Sequence, residues 1–220
     1  MVSTHYDYPM YTGARSMIPE WRLLTQLEKF EGWSYDRSDP KYPEFYGNRT
    51  RVLAPPFRTN CSAFVEGMLG PLGDEFIAGF DWGHSFHKDM MIYDRERPFS
   101  PIEAIIKAGI ATPVYDTYNQ DLPPWCVVQG WRSLDQMGFV SEGDRGHTFF
   151  IRACSPLTGK ALILESNLGF GVHGVGYRGL GRLTSCRESV DDLVEKSEWS
   201  VGRILAYYRY CRIAYLNITD

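Results

Sequence analysis

The chain has 220 residues, 44% of them hydrophobic and 15% aromatic, with a formal charge of −4. That content supports a packed core and excludes a disordered chain, and the acidic balance excludes a general nucleic-acid binder, which needs a basic stripe. No apolar run approaches the ~20 residues of a membrane span, and five widely spaced cysteines without a C-x-x-C pair suit reduced thiols better than a disulfide framework or a structural zinc site.

In chain order, MVSTHYDYPMYTGARSM lacks a basic start and an apolar h-region, so the expectation is a cytoplasmic chain, or one exported by a route without a signal peptide. SMIPEWRLLTQLEKFEG reads as a helix, with Pro19 in its first turn and Leu23, Leu27 and Phe30 at helical spacing. Residues 33–58 are rich in aromatic residues and proline, which predicts an ordered loop rather than a linker. TNCSAFVEGMLGP is punctuated as a short helix. Thr59 or Asn60 caps it, Cys61, Phe64, Val65 and Met68 share one face, and Gly70 and Pro71 end it. SPIEAIIKAG and SCRESVDDLVEK predict two further helices, with capping boxes at Ser100/Glu103 and Ser185/Glu188.

Strand-like stretches lie between and after these helices: WCVVQGW, GHTFFIRA, KALILES and the long ILAYYRYCRIAYLNI. Helices first and an antiparallel sheet afterwards predict an α+β fold. With no internal repeat and no composition break, the expectation is one domain over residues 1–220, carrying an N-terminal helical and aromatic-loop extension. N-x-[ST] sequons at Asn48, Asn60 and Asn217 are expected to be accidental, since a glycan on Asn60 would cover Cys61.

Chemistry enters at Cys61. A cysteine in the first turn of a helix meets the positive end of the helix dipole and unpaired backbone N–H groups. Both favour thiolate over thiol, and the same N–H groups can hold the oxyanion of a tetrahedral intermediate. Packing alone is an equally available role for Cys61 from this segment, because free cysteine is so often buried.

GHTFFIRACSPLTGKALILESN supplies a possible partner. Alternation puts His147, Phe149 and Ile151 on one strand face, and Ala161, Ile163, Glu165 and Asn167 on one face of the next. SPLTG between them predicts a hairpin. If Cys154 pairs with Lys160, His147 stands opposite Asn167 and Phe149 opposite Glu165, a register that one residue of slip would destroy. A histidine beside a carboxylate and a carboxamide suits a general base and its orienter. The same residues also suit an edge histidine bonded to Asn167, with Glu165 in solvent.

Taken together, NCSAFV resembles the D-C-S-x-F-V helix start of NlpC-type cysteine peptidases. GHTFFI followed by ILESN resembles their CHAP branch, the cysteine, histidine-dependent amidohydrolases/peptidases. Asn60 stands where that motif usually has aspartate. The resemblance implies a papain-like α+β fold with the nucleophile helix packed on an antiparallel sheet. It implies hydrolysis of a peptide or amide substrate, most often cell-wall peptides of peptidoglycan, with no metal or other cofactor and no membrane or nucleic-acid partner. Carried over, the catalytic set is Cys61 as nucleophile, His147 as base, and Glu165 and Asn167 as polar partners. An acyltransferase or amide-forming enzyme with the same residues, or a non-catalytic binding domain of that fold, are the alternatives.

Weaker signals accompany this set. DWGHSFHKD places His84 and His87 near Asp81 and Asp89 but lacks the glutamate of H-E-x-x-H, so a polar loop is expected rather than a metal site. LGFGVHGVGYRGLGRL holds six glycines from Gly169 to Gly181 and predicts glycine bulges that wall one side of a cleft. Gln129 could donate to an oxyanion or sit on a sheet face, and Trp131 reads as core. Cys126, Cys154 and Cys211 read as packing, and Cys186 as a second, unpartnered candidate nucleophile.

Overall fold

The computed structural model describes residues 17–35, 58–59, 61, 64–65, 67–69, 93–94, 97–98, 102, 105–106, 109–114, 122–131, 147–155, 157–169, 172–179, 182–184, 189–196, 199–207 and 210–220. Within them helices pack on an antiparallel sheet, a mixed α+β arrangement. None of the helices among the described residues is long and apolar enough to cross a membrane.

The short strands β1 (Ile18–Pro19), β2 (Ser34–Tyr35), β3 (Arg58–Thr59), β4 (Tyr93–Asp94) and β5 (Arg97–Pro98) form small pairs with one another or with β13 (Ile218–Thr219). The main sheet has seven strands: β6 (Ala111–Val114), β7 (Cys126–Trp131), β8 (His147–Cys154), β9 (Ala161–Gly169), β10 (Val172–Gly179), β11 (Arg182–Thr184) and β12 (Tyr210–Leu216). Their spatial order is β11-β10-β9-β8-β7-β12-β6, antiparallel throughout.

Alternation along these strands builds two cores. One face of the sheet presents Val127, Phe150, Leu162, Leu164, Tyr177 and Ala214 to the helices that precede it and to Leu193. The other presents Cys126, Val128, Phe149, Ile151, Ile163 and Ile213, covered by Val201 and Ile204. Helix α1 (Glu20–Glu28) buries Leu23 and Leu27 on the first face, as its spacing predicts. Pro19 is its N-cap rather than a first-turn residue, and Phe30 lies beyond its end yet is buried. Ring contacts then run from Phe30 to Phe64 of the Cys61 helix, on to Phe150 of β8, and on to Trp125 (centroids 5.2, 5.9 and 5.7 Å apart). Gly67 permits the first step, because a Cβ there would stand 2.4 Å from the Phe30 ring. Its carbonyl accepts a 2.8 Å hydrogen bond from Gln26 Nε2. α1 is thereby keyed to the helix that carries Cys61.

Three expectations need correction. The stretch beginning at Ile204 is not one long strand: Val201–Tyr207 forms helix α3, and only Tyr210–Leu216 is β12. Ser200 explains the difference, its hydroxyl accepting from the Arg203 N–H at 3.1 Å and its carbonyl from Ile204, which caps a turn whose Val201 and Ile204 share a buried face. The predicted helix over 185–196 is helical from Val190 to Lys196 (α2), with Leu193 N–H bonded to the Ser189 carbonyl; Ser185 and Glu188 lie outside the described residues. The glycine segment contains no bulge over Val172–Arg178, where β10 pairs with β9 residue by residue. Gly174 and Gly176 pair with Asn167 and Glu165 there, and Gly174 sits at φ 138°, a backbone conformation that favours glycine.

The bulge is elsewhere, in β8 between Ile151 and Ala153. Arg152 is the extra residue, only 7% exposed, with its guanidinium 3.7 Å over the Trp125 ring and 3.3 Å from Glu20 Oε1. Trp125 itself sits at φ 65° and donates its indole N–H to the same Glu20 oxygen. This cluster joins the start of α1 to the middle of the sheet.

At the sequon Asn217 the side chain is buried. Its oxygen accepts from Thr112 and its amide nitrogen donates to the Gly109 carbonyl, so no glycan fits. Asn48 and Asn60 lie outside the described residues.

Candidate active site

The bulge decides the geometry of the site. At the turn end Cys154 pairs with Ala161, one residue off the expected Lys160; beyond the bulge Ile151 pairs with Ile163 and Phe150 with Leu164. Continuing that count sets Phe149 against Glu165 and His147 against Asn167, the register the sequence predicts for this end. One inserted residue corrects a one-residue offset, and period-two alternation then puts His147 and Glu165 on a common face.

His147 Nε2 lies 2.5 Å from Glu165 Oε2, a hydrogen bond that becomes an ion pair when the ring is protonated. The imidazole also hydrogen bonds to Cys61. With Nε2 occupied by the carboxylate, Nδ1 is the nitrogen left to meet sulfur. The partners come from opposite sides of the sheet. Phe64, Val65 and Met68 of the Cys61 helix belong to the first core, and Phe149, stacked beside the His147 ring, belongs to the second. His147 opens β8, so the contact is made at the strand's end.

Glu165 is wholly buried and has partners on both oxygens. Asn167 Nδ2 donates to Oε2 at 3.3 Å. Arg178 Nε stands 2.6 Å from Oε1, but its N–H is not aimed along a hydrogen bond, so this contact acts chiefly as charge against charge. The β10 register explains the reach: Arg178 pairs with Ile163 and Gly176 with Glu165, so the strand position beside the carboxylate carries no side chain and the arginine extends diagonally across it.

The electrostatics follow. Burial alone would lower the His147 pKa, but the Glu165 charge and the hydrogen bonds to Cys61 and Glu165 outweigh it and raise the ring to about 9. Burial would raise the Glu165 carboxyl. The His147 charge and hydrogen bond, then Arg178 and Asn167, hold it below its ordinary value. These contacts favour an imidazolium on a carboxylate, and a cation hydrogen-bonded to a cysteine favours thiolate. Burial pushes the thiols of Cys126 and Cys211 up to about 12.

All four expected residues are among those described, and they converge on His147 and Glu165. Glu165 bonds the imidazole directly, and the amide of Asn167 braces Glu165. Arg178 was not among the sequence candidates. A signal existed: alternation through Gly174, Gly176 and Arg178, extended one strand past the hairpin, brings a cation to Glu165.

Gln129 pairs with Thr148, whose hydroxyl donates to its side-chain oxygen, on the other face of β7 from Gly130, the residue opposite His147. It is a buried partner of Thr148, held through its side-chain oxygen, on the face of β7 that Val127 presents to the Cys61 helix. Asn60, Asp81, His84, His87, Asp89, Cys186 and the Trp131 side chain lie outside the described residues. Comparison of the chain with family models, with curated proteins and with solved structures returned no match.

Proposed function

We propose that this chain is a thiol-dependent amide hydrolase, a peptidase or amidase of papain-like architecture. One observation carries the reading: a single imidazole stands between the Cys61 sulfur and a buried, ionised Glu165. A buried carboxylate fixes the ring's orientation and stabilises its cationic form, and the cation stabilises a nucleophilic sulfur.

In the proposed cycle the Cys61 thiolate attacks the amide carbonyl carbon, and backbone N–H groups at the start of its helix receive the oxyanion. The C–N bond breaks as His147 gives its proton to the leaving nitrogen, producing a thioester and an amine. Neutral His147 then takes a proton from water, whose oxygen attacks the thioester carbon. The acid leaves, and the thiolate–imidazolium pair is restored. Glu165 holds Nε2 throughout, and Asn167 holds Glu165. Aromatic residues from 33–58 and the glycine segment 168–182 are the proposed substrate walls.

The test is release of new amine from purified peptidoglycan and from a panel of peptide amides, with Cys61→Ala and His147→Gln as controls. Release that disappears in both variants supports the reading. Release that persists undiminished in Cys61→Ala overturns it. Added hydroxylamine or a free amino acid separates hydrolysis from acyl transfer, since a transferase diverts the acyl group to the amine.

A further inference from the structure

The mechanism leaves one charged side chain without a stated task. Arg178 stands 2.6 Å from Glu165 Oε1, and its side chain is 13% exposed. Glu165 is fully buried. Beside His147 stand Cys61 from its helix, Glu165 and Asn167 from β9, Gly130 from β7, and Arg178 beyond the carboxylate. With the sulfur and imidazole ionised, charges alternate along a line: sulfur negative, imidazole positive, carboxylate negative, guanidinium positive.

We propose that Arg178 is a positioning residue that keeps Glu165 charge-compensated in both protonation states of His147, so that the imidazole can release its proton as well as hold it. This rests on the functional reading above and deepens it.

The argument is one of charge balance. In the resting site two negative charges face two positive ones. When sulfur has become a thioester and His147 has given its proton to the leaving nitrogen, one negative and one positive charge remain, Glu165 and Arg178. Neutrality is kept across the step. Without the guanidinium the same step would strand the fully buried Glu165 carboxylate, and an unpaired buried charge is strongly unfavourable. The imidazole would keep its proton instead, and protonation of the leaving group would fail. Gly176 makes the pairing sterically open, since any side chain there would rise beside Glu165 in the path of Arg178.

The experiment is the pH dependence of Cys61 alkylation by iodoacetamide, followed by peptide mass spectrometry in Arg178→Gln, Arg178→Lys, Glu165→Gln and the Glu165→Gln/Arg178→Gln double variant. Removing a cation makes the site hold protons to higher pH, so Arg178→Gln should move the profile up by about one pH unit. Arg178→Lys should stay near wild type, Glu165→Gln should move the profile down, and the double variant should return toward wild type. A merely structural role would slow alkylation without moving its pH dependence, and lysine would then do as badly as glutamine. That pattern, or a double variant with no compensation, overturns the proposal. If Arg178→Gln does not fold, the lysine and double variants carry the same decision. If wild-type Cys61 reacts no faster than the buried thiols, the functional reading fails first and takes this one with it.

Discussion

Leu164 and Glu165 are consecutive residues of β9, both wholly buried, and they face opposite chemistries. Leu164 points into the core where Phe150, Tyr177 and the Cys61 helix pack. Glu165 points to the other face, where His147, Asn167 and Arg178 surround it with charge and hydrogen bonds. The first environment tolerates no charge and the second would be ruined by removing one. A sheet buried on both sides can thus use one face to carry a helix and the other to hold an ionised carboxylate, with the pleat keeping the two apart. The Cys61–His147 contact joins them at the strand's end.

That division can be broken from either side. Phe150→Ala removes the ring that links Phe64 to Trp125, and urea unfolding should show a loss of about 3–5 kcal/mol. The pH dependence of Cys61 alkylation should be unchanged, because no charge on the other face has moved; a profile displaced with the stability would mean that the faces are coupled. The next contrast is among thiols. At neutral pH Cys61 should alkylate on the order of a hundredfold faster than Cys126 or Cys211, since thiolate is the reactive form and burial raises both of theirs.

Gly67→Ala sharpens the helix side. A methyl 2.4 Å from the Phe30 ring must push α1 and the Cys61 helix apart, costing about 1–3 kcal/mol. Phe30→Leu in the same chain should recover part of that loss, as a urea double-mutant cycle would measure; no recovery would place the strain elsewhere.

The charged face is sharpened by a pH dependence of melting. His147 rises from its ordinary 6.5 to about 9 on folding, so its contribution is fully present below about pH 6.5 and is lost as pH climbs through 9. Glu165 is shifted the opposite way, so its contribution is present above the ordinary carboxylate range and is lost as pH falls through its lowered value. Between pH 6.5 and 9 the melting temperature of the wild type should fall relative to that of His147→Gln, with each kcal/mol worth ~2–4 °C in a chain of this size. Parallel curves would show that the ring gains no proton affinity on folding.

Much of this arrangement is legible in the residues themselves. The alternation in HTFFI and ILESN puts a histidine, a glutamate and an asparagine on shared faces, and helix punctuation around NCSAFV puts the cysteine at a helix start. The failures have physical causes. Helix α3 reads as strand because tyrosines and isoleucines favour strands, while the Ser200 cap and packing on the second core decide for helix. The turn-end register reads one residue wrong because the bulge at Arg152 depends on Trp125 and Glu20, 27 and 132 residues away in the chain. Arg178 was missed because its role appears only when a third strand is laid beside the hairpin.

Local chemistry therefore determined which elements form and which of their residues share a face, since periodicity and capping act over a few neighbouring residues. The meeting of sulfur, imidazole, carboxylate and guanidinium was decided only by tertiary structure. Those four groups come from four separate elements, and one inserted residue in a strand sets the register that brings them together.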